Sequence, residues 1–274
     1  MTNLQKIVAV GIVAVIAVLG LIGYNVFRAP AAATGPITAI PLAEGNASAA
    51  PSPSASASAA PSPSASTAPA TETASASPTT ESAAEPSASA AAESQEIVAQ
   101  IVPEESEVRF IIDEVLNNAP KTVVGTTNQV AGEIAVDPND PTKSRIGTIQ
   151  VNARTFVTDS EFRNRAIQNR ILNTGDYEFI TFTPKQLEGL PAQGAPGQSY
   201  TFKVIGDLTI RDTTKEVTFD VTATPASNAR LEGTATSTIR YADFGLAIPQ
   251  VQQVASVDEN VRLEIDFVAV PKSS

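Results

Sequence analysis

Hydrophobic and polar side chains alternate most strictly over residues 200–223. Tyr200, Phe202, Val204, Leu208 and Ile210 fall on one face, with Thr201, Lys203, Asp207 and Thr209 on the other. After the polar break at 211–214, Val217, Phe219 and Val221 resume the pattern against Thr218, Asp220 and Thr222. Period-two alternation with β-branched and aromatic residues predicts strands that are dry on one side and wet on the other. The short break predicts a hairpin.

The same pattern recurs on both sides of this hairpin. Val108, Phe110 and Ile112 alternate with Arg109, Ile111 and Asp113, and residues 122–136 carry two glycines, Gly125 and Gly132, that suggest bends or bulges. Residues 137–141 (DPNDP) predict a turn. Ile149, Val151 and Ala153 form a further face, and strands are expected at 177–183, 229–241 and 261–268. In the last of these, Val261, Leu263, Ile265 and Phe267 oppose Arg262, Glu264 and Asp266. Residues 158–173 break the alternation. Phe162, Ala166, Ile167 and Ile171 recur at helical spacing, with Thr158, Asp159 or Ser160 as N-cap and Gly175 as terminator. The expectation is an all-β domain of about eight antiparallel strands and one helix, either a closed barrel or a two-sheet sandwich.

The chain before this domain reads differently. Residues 7–22 contain no polar side chain, and a helix of ~24 residues at ~1.5 Å each would cross a ~30 Å hydrocarbon core. We expect residues 1–28 to be a membrane anchor with Lys6 on the cytoplasmic side. The competing reading is a cleaved signal peptide, with Ala31, Ala32 and Ala33 near its cleavage site. Both place the domain outside the cytoplasm, at the cell membrane in the first case. Residues 29–95 are expected to be a disordered linker, and residues 96–274 the folded domain. Residues 47–94 use only Ala, Ser, Pro, Thr and Glu, so they have no large apolar side chain to offset the cost of ordering. Such a linker would span ~40 Å as a coil and on the order of 150 Å extended, which suits a spacer.

Composition removes several classes of chemistry. The net charge is −11, and from Glu96 onward 24 acidic residues face 16 basic ones, leaving −8. That balance argues against a nucleic-acid surface, which requires a basic stripe. There is no cysteine and no histidine. Disulfides, thiol nucleophiles, the usual zinc and iron sites and the Ser/His and Cys/His pairs are thereby excluded. Asp137, Asn139 and Asp140 put oxygen ligands in one turn, but the glycine and distal glutamate of a calcium loop are missing, and no metal site is expected.

Several separated segments resemble one family. GDLTIRDTTKEV at 206–217 is similar to the GDLTIRGVTKPV-type signature of YceI-like lipid- or polyisoprenoid-binding domains. In the family's order come Gly132-Glu133-Ile134, Thr158 followed by Arg163-Asn164, the strand 177–182 (YEFITF) and the segment 240–246 (RYADFGL), so that the resemblance covers about 104–270. It implies an eight-stranded, lipocalin-like antiparallel barrel with one covering helix and an apolar interior that holds a long isoprenoid or lipid tail. The chain departs from the pattern at four places. The family's RD-x-HL reads Arg163-Asn164-Arg165-Ala166-Ile167, so its Asp and His are absent; Glu178 replaces a proline, and Asp212 and Glu216 replace Gly and Pro.

The candidate ligand lining is Phe110, Ile112, Ile149, Val151, Phe202, Val204, Leu208, Phe219, Val221, Leu263 and Ile265. The competing account is that these residues simply fill the barrel. Arg163 and Arg165, with Arg170 and Arg154 near in sequence, are the candidate contacts for an anionic headgroup, since an arginine fork suits phosphate. Here the competing account is a solvated helix face paired with Asp159 or Glu161. The expected activity is non-catalytic holding or transfer of a long-chain isoprenoid or other lipid, with no cofactor. A stalk-displayed adhesion module with a filled barrel is the alternative, and a lipid-acting enzyme comes third. A homodimer is compatible with the sequence.

Overall fold

The computed structural model describes residues 29–42, 96–195, 197–226, 230–249 and 254–272. The anchor or signal segment 1–28 and the low-complexity stretch lie outside the described residues. No helix among the described residues is long and apolar enough to cross a membrane.

The fold is one antiparallel sheet curled around an apolar interior. Its strands are β1 (Ile97–Ile101), β2 (Glu107–Leu116), β3 (Ala119–Thr127), β4 (Val130–Ala131), β5 (Glu133–Val136), β6 (Arg145–Ile146) and β7 (Ile149–Asn152). They continue with β8 (Phe179–Glu188), β9 (Tyr200–Ile210), β10 (Thr213–Pro225), β11 (Leu231–Arg240), β12 (Val254–Val257) and β13 (Asn260–Pro271). Neighbours from β7 to β11 pair in chain order, and β11 pairs with β13. The far edge of β13 takes both β1 and β2, which in turn pair with β5 and β3. Finally β4 pairs with β7 and β5 with β6. Among the described residues there is one sheet, not the two a sandwich requires.

Among the described residues thirteen strands stand where about eight were expected, for a local reason. The turn Pro103–Glu105 separates β1 from β2 along a single edge of β13, Gly132 separates β4 from β5, and Gly147-Thr148 separate β6 from β7. Small β12 is an addition beside β2.

The hairpin follows the alternation. Phe202, Val204, Leu208 and Ile210 of β9 and Val217, Phe219 and Val221 of β10 are buried. Its turn is tighter than the break at 211–214 implied, because Ile210 already pairs with Thr213. Arg211 therefore takes a left-handed φ of 59°. Gly206 lies where β9 passes the bulge at Pro184–Gln186, and a Cβ there would sit 2.5 Å from the Thr183 carbonyl oxygen and 2.8 Å from Pro184 Cα. Gly206→Ala should destabilise the domain by about 1–3 kcal/mol through overpacking against backbone, read as a lowered Tm in thermal unfolding.

The helix differs more from expectation. Helix α1 (Glu161–Ala166) is capped by Ser160 as expected, but it runs into a π-turn at Ile167–Ile171 and stops at Asn173, with φ 47°, before Gly175. Phe162 is 56% exposed and borders an interior chamber rather than packing in the core. Polar residues set this register. Buried Asn164 accepts the N–H and hydroxyl of Thr158 (2.7 and 2.8 Å), and buried Gln168 donates to the carbonyls of Arg154 (2.9 Å) and Phe156 (3.3 Å).

Residues 29–42, expected as the start of a disordered linker, lie against the sheet wall. Thr34 donates its N–H and hydroxyl to Glu178, Leu42 donates its N–H to Glu133, and Ala39 is buried. Donors of the segment meeting carboxylates of the wall hold it there, with Ala39 buried between them.

Candidate functional site

Two apolar chambers occupy the interior, one of about 380 Å³ and one of about 500 Å³, with no lining residue in common. They are stacked along the strands. On β13, Ile265 and Phe267 line the first and Val261 and Leu263 the second; on β8, Phe182 lines the first and Ile180 the second.

Of the expected lining, Ile149, Phe202, Val204, Phe219, Val221 and Ile265 face the first chamber. Phe110, Ile112 and Leu263 face the second. Val151 and Leu208 are buried but border neither. Along β9 the order runs Val204 (first chamber), Leu208, Ile210 (second), so Leu208 belongs to the packed waist between them. Edge-to-face aromatic pairs stiffen the walls: Phe182 with Phe219 (centroids 4.9 Å apart) and Phe110 with Phe156 (5.3 Å). Lining residues outside the expected set include Phe267, Ile97, Leu187, Phe156 and Ile180. Phe267 carried a readable signal, since it continues the face of Val261, Leu263 and Ile265.

The chambers open through different chemistry. The first is bordered by Asp137, Pro138, Gly194 and Arg230. There the Asp137 carboxylate closes the expected turn by accepting the N–H groups of Asn139 (2.9 Å) and Asp140 (3.1 Å). Arg230 is tied to Glu105 and Glu232, each at 2.6 Å.

The second chamber is bordered by the helix, with Glu114, Lys121, Asp159, Arg163 and Arg170 at its rim. Three cations face two carboxylates there, a local surplus of positive charge in an acidic domain. Arg163 bonds Glu114 at 2.9 Å and also pairs with Asp159, which takes Lys121 at 2.5 Å. The Lys121 ammonium, seconded by Arg163, holds the Asp159 carboxyl below its ordinary value. Arg163, Ala166, Ile167 and Arg170 border the chamber at spacings of three, four and seven residues, which is one helical face. Arg165 lies off that face, exposed and bordering neither chamber; Arg170 takes the place expected for it. Arg154 does not join this cluster. It is half-buried at the wall, bonded to Glu178 (2.8 Å) and to the carbonyls of Thr174 (2.7 Å), Gly175 (3.1 Å) and Ala32 (3.0 Å).

The model of the YceI-like domain family matches residues 100–269, more than half of the chain. The chain belongs to the YceI-like family. Two solved structures share the fold of this YceI-like domain. BcnA of Burkholderia cenocepacia is 17% identical, with a TM-score of 0.50 over 62% of this chain and 99% of its own. A polyisoprenoid binding domain from Saccharophagus degradans, implicated in plant cell wall breakdown, is 12% identical, with a TM-score of 0.51 over 64% of this chain and 99% of its own. No curated protein matches the chain significantly. Within the YceI-like pattern, the aspartate's place is taken by Asn164, which is spent on Thr158, and the histidine's by Ala166, which presents only a methyl group to the second chamber.

Proposed function

We propose that this YceI-like domain holds or transfers an apolar lipid, polyisoprenoid in class, with its tail in the chambers and its headgroup at the cationic rim, without catalysing a reaction. The domain works outside the cytoplasm, tethered to the membrane by residues 1–28. The observation that carries the reading is the pair of apolar chambers. At ~30 Å³ per water-sized group, they offer room for roughly 25–30 methylene-sized groups. Burial contributes ~0.8 kcal/mol per CH₂, so a ten-carbon stretch supplies about 8 kcal/mol before binding costs, with no polar anchor needed. The neighbouring domain described as polyisoprenoid binding supports the choice of tail. The rim supports an anionic headgroup, because Arg163 and Arg170 carry fork-shaped donors on one helical face.

Mass spectrometry of organic extracts from detergent-free protein tests this. A copurifying long-chain lipid near one equivalent is expected; a clean blank would favour a displayed module with no guest. Arg163→Gln should weaken retention of a phosphorylated long-chain lipid by about 10–100-fold, the worth of one charge-assisted hydrogen bond, while sparing the neutral alcohol of the same chain. Equal loss for both lipids would assign Arg163 to holding Glu114 instead.

A further inference from the structure

We propose that residues 29–42 are a clasp fastening the chain to the sheet wall, so that the chain leaves the wall at Leu42 and rejoins it at Glu96 in one place. Residues 43–95 are not a stalk that separates the domain from residues 1–28. This holds whether or not the interior carries a guest.

The clasp is fixed at both of its ends. Near its start, Thr34 gives its N–H to Glu178 Oε1 (2.8 Å) and its hydroxyl to Oε2 (2.9 Å), while Arg154 donates to the Ala32 carbonyl (3.0 Å). Near its end, the Leu42 N–H bonds Glu133 Oε2 (2.8 Å), and the Leu42 side chain lies 3.2 Å from where a Cβ on Gly147 would be. Between them Ala39 is buried while Ile40 is 43% exposed. Glu133 is only 4% exposed in its side chain and is further held by Lys272 at 2.8 Å. These carboxylates are built into the wall and share their lone pairs between wall partners (Lys272, Asn152 and Arg154) and the clasp.

The chain returns to the wall where it left it. Glu96 takes Arg145 at 2.5 Å, and Ile97 begins β1 opposite Val136 of β5. Leu42 departs from Glu133 and Gly147; Glu96 arrives beside Arg145, which pairs with Ala135. Departure and arrival therefore share the β5–β6 pair, a separation of roughly 15 Å from four residues of rise and one strand spacing. The 53 residues from 43 to 95 could span ~40 Å as a coil, yet none of that length lies between residue 28 and the wall. Ala32 is already fastened, so whatever holds residues 1–28 holds the domain close by.

The chain has no cysteine, so single cysteines in the full-length protein report the clasp directly. Maleimide labelling at neutral pH should be at least tenfold slower for Ala39→Cys than for Ile40→Cys. Adding Thr34→Pro, which removes both donors to Glu178 without touching the wall, should raise the Ala39→Cys rate toward that of Ile40→Cys. Deleting residues 47–93 leaves six residues, up to ~20 Å of chain, to join the two points, and should leave Ala39→Cys as protected as before. Equal labelling of Ala39→Cys and Ile40→Cys in the intact, folded chain overturns the clasp. Loss of protection on deletion overturns the shared departure and arrival point.

Discussion

Arg154→Ala is expected to cost about 2–3 kcal/mol, because it strips a half-buried carboxylate of its charged hydrogen-bond partner. For a domain of this size each kcal/mol moves Tm by about 2–4 °C, so a fall on the order of 10 °C should be seen in thermal unfolding. The Arg154 and Glu178 side chains are only 11% and 10% exposed. Truncation would leave the carboxylate without its cation, and the carbonyls of Thr174, Gly175 and Ala32 without a donor. Arg154→Lys should recover little, since a single ammonium cannot reach acceptors spread across a planar fork. Arg154→Ala combined with Glu178→Gln should be milder than the sum of the single changes, the signature of a coupled pair. The effect also has a pH signature. Burial opposes ionisation of Glu178, but the N–H and hydroxyl of Thr34, the Asn152 amide and the Arg154 guanidinium outweigh it and hold the carboxyl below its ordinary value. A group depressed in the folded state contributes stability that is present above its unfolded pKa and disappears as pH falls through the folded one. The gap between wild type and Arg154→Ala should therefore be full at neutral pH and narrow below the ordinary carboxylate range. By contrast, the pair Arg240–Glu259, both more than half exposed, should contribute no more than about 1 kcal/mol.

What could be read from the residues, and what could not, divides along physical lines. Strands with one dry face must alternate, so Phe202, Val204, Phe219, Val221 and Ile265 announced their direction. Alternation gives the face but not the occupancy. Val151 and Leu208 point the same way as their neighbours and fill the waist, a distinction set by which residues lie across the interior rather than along the strand. The apolar face of the helix was legible, since Phe162, Ala166, Ile167 and Ile171 all border the second chamber, but the burial of Asn164 and Gln168 was not; their partners, Thr158 and the carbonyls of Arg154 and Phe156, meet them only once the chain is folded. Arg165 was grouped with Arg163 by nearness in sequence, whereas helical spacing selects Arg170.

Residues 29–42 were the largest surprise. They hold three prolines and no charge, and what separates them from the Ala/Ser/Pro/Thr/Glu stretch at 47–94 is Ile37, Ile40 and Leu42, three large apolar side chains in too short a run to predict an element. What binds them is the N–H groups of Thr34 and Leu42 and the Thr34 hydroxyl, received by Glu178 and Glu133 on the wall, together with the buried Ala39. Glu178 is also one of the positions where this chain departs from the YceI-like pattern, with a carboxylate in place of proline. The departure and the clasp have one explanation: proline offers no acceptor side chain for Thr34, and glutamate does.

Ala235→Phe is expected to abolish lipid retention while leaving Tm within a few degrees of wild type. Ala235 sits on β11 between Val221 of β10 and Ile265 of β13, and all three border the 380 Å³ chamber. A phenyl ring placed there enters open space, so packing gained should offset small adjustments of the wall. In a filled interior the same ring would cost about 1–3 kcal/mol. Phenylalanine is chosen over tryptophan because an indole N–H would find no acceptor among these side chains. Ala166→Phe at the mouth of the 500 Å³ chamber is the matching change, and organic extracts of the two variants should differ in a telling way. If a single tail threads the waist past Leu208, either variant empties the protein; if the chambers act separately, each variant removes only its own share. The stability readout decides between carriage and packing independently of any lipid. Unchanged Tm with a lost guest means the space was open for that guest, while a lowered Tm with an unaltered extract means the wall residues had already filled it.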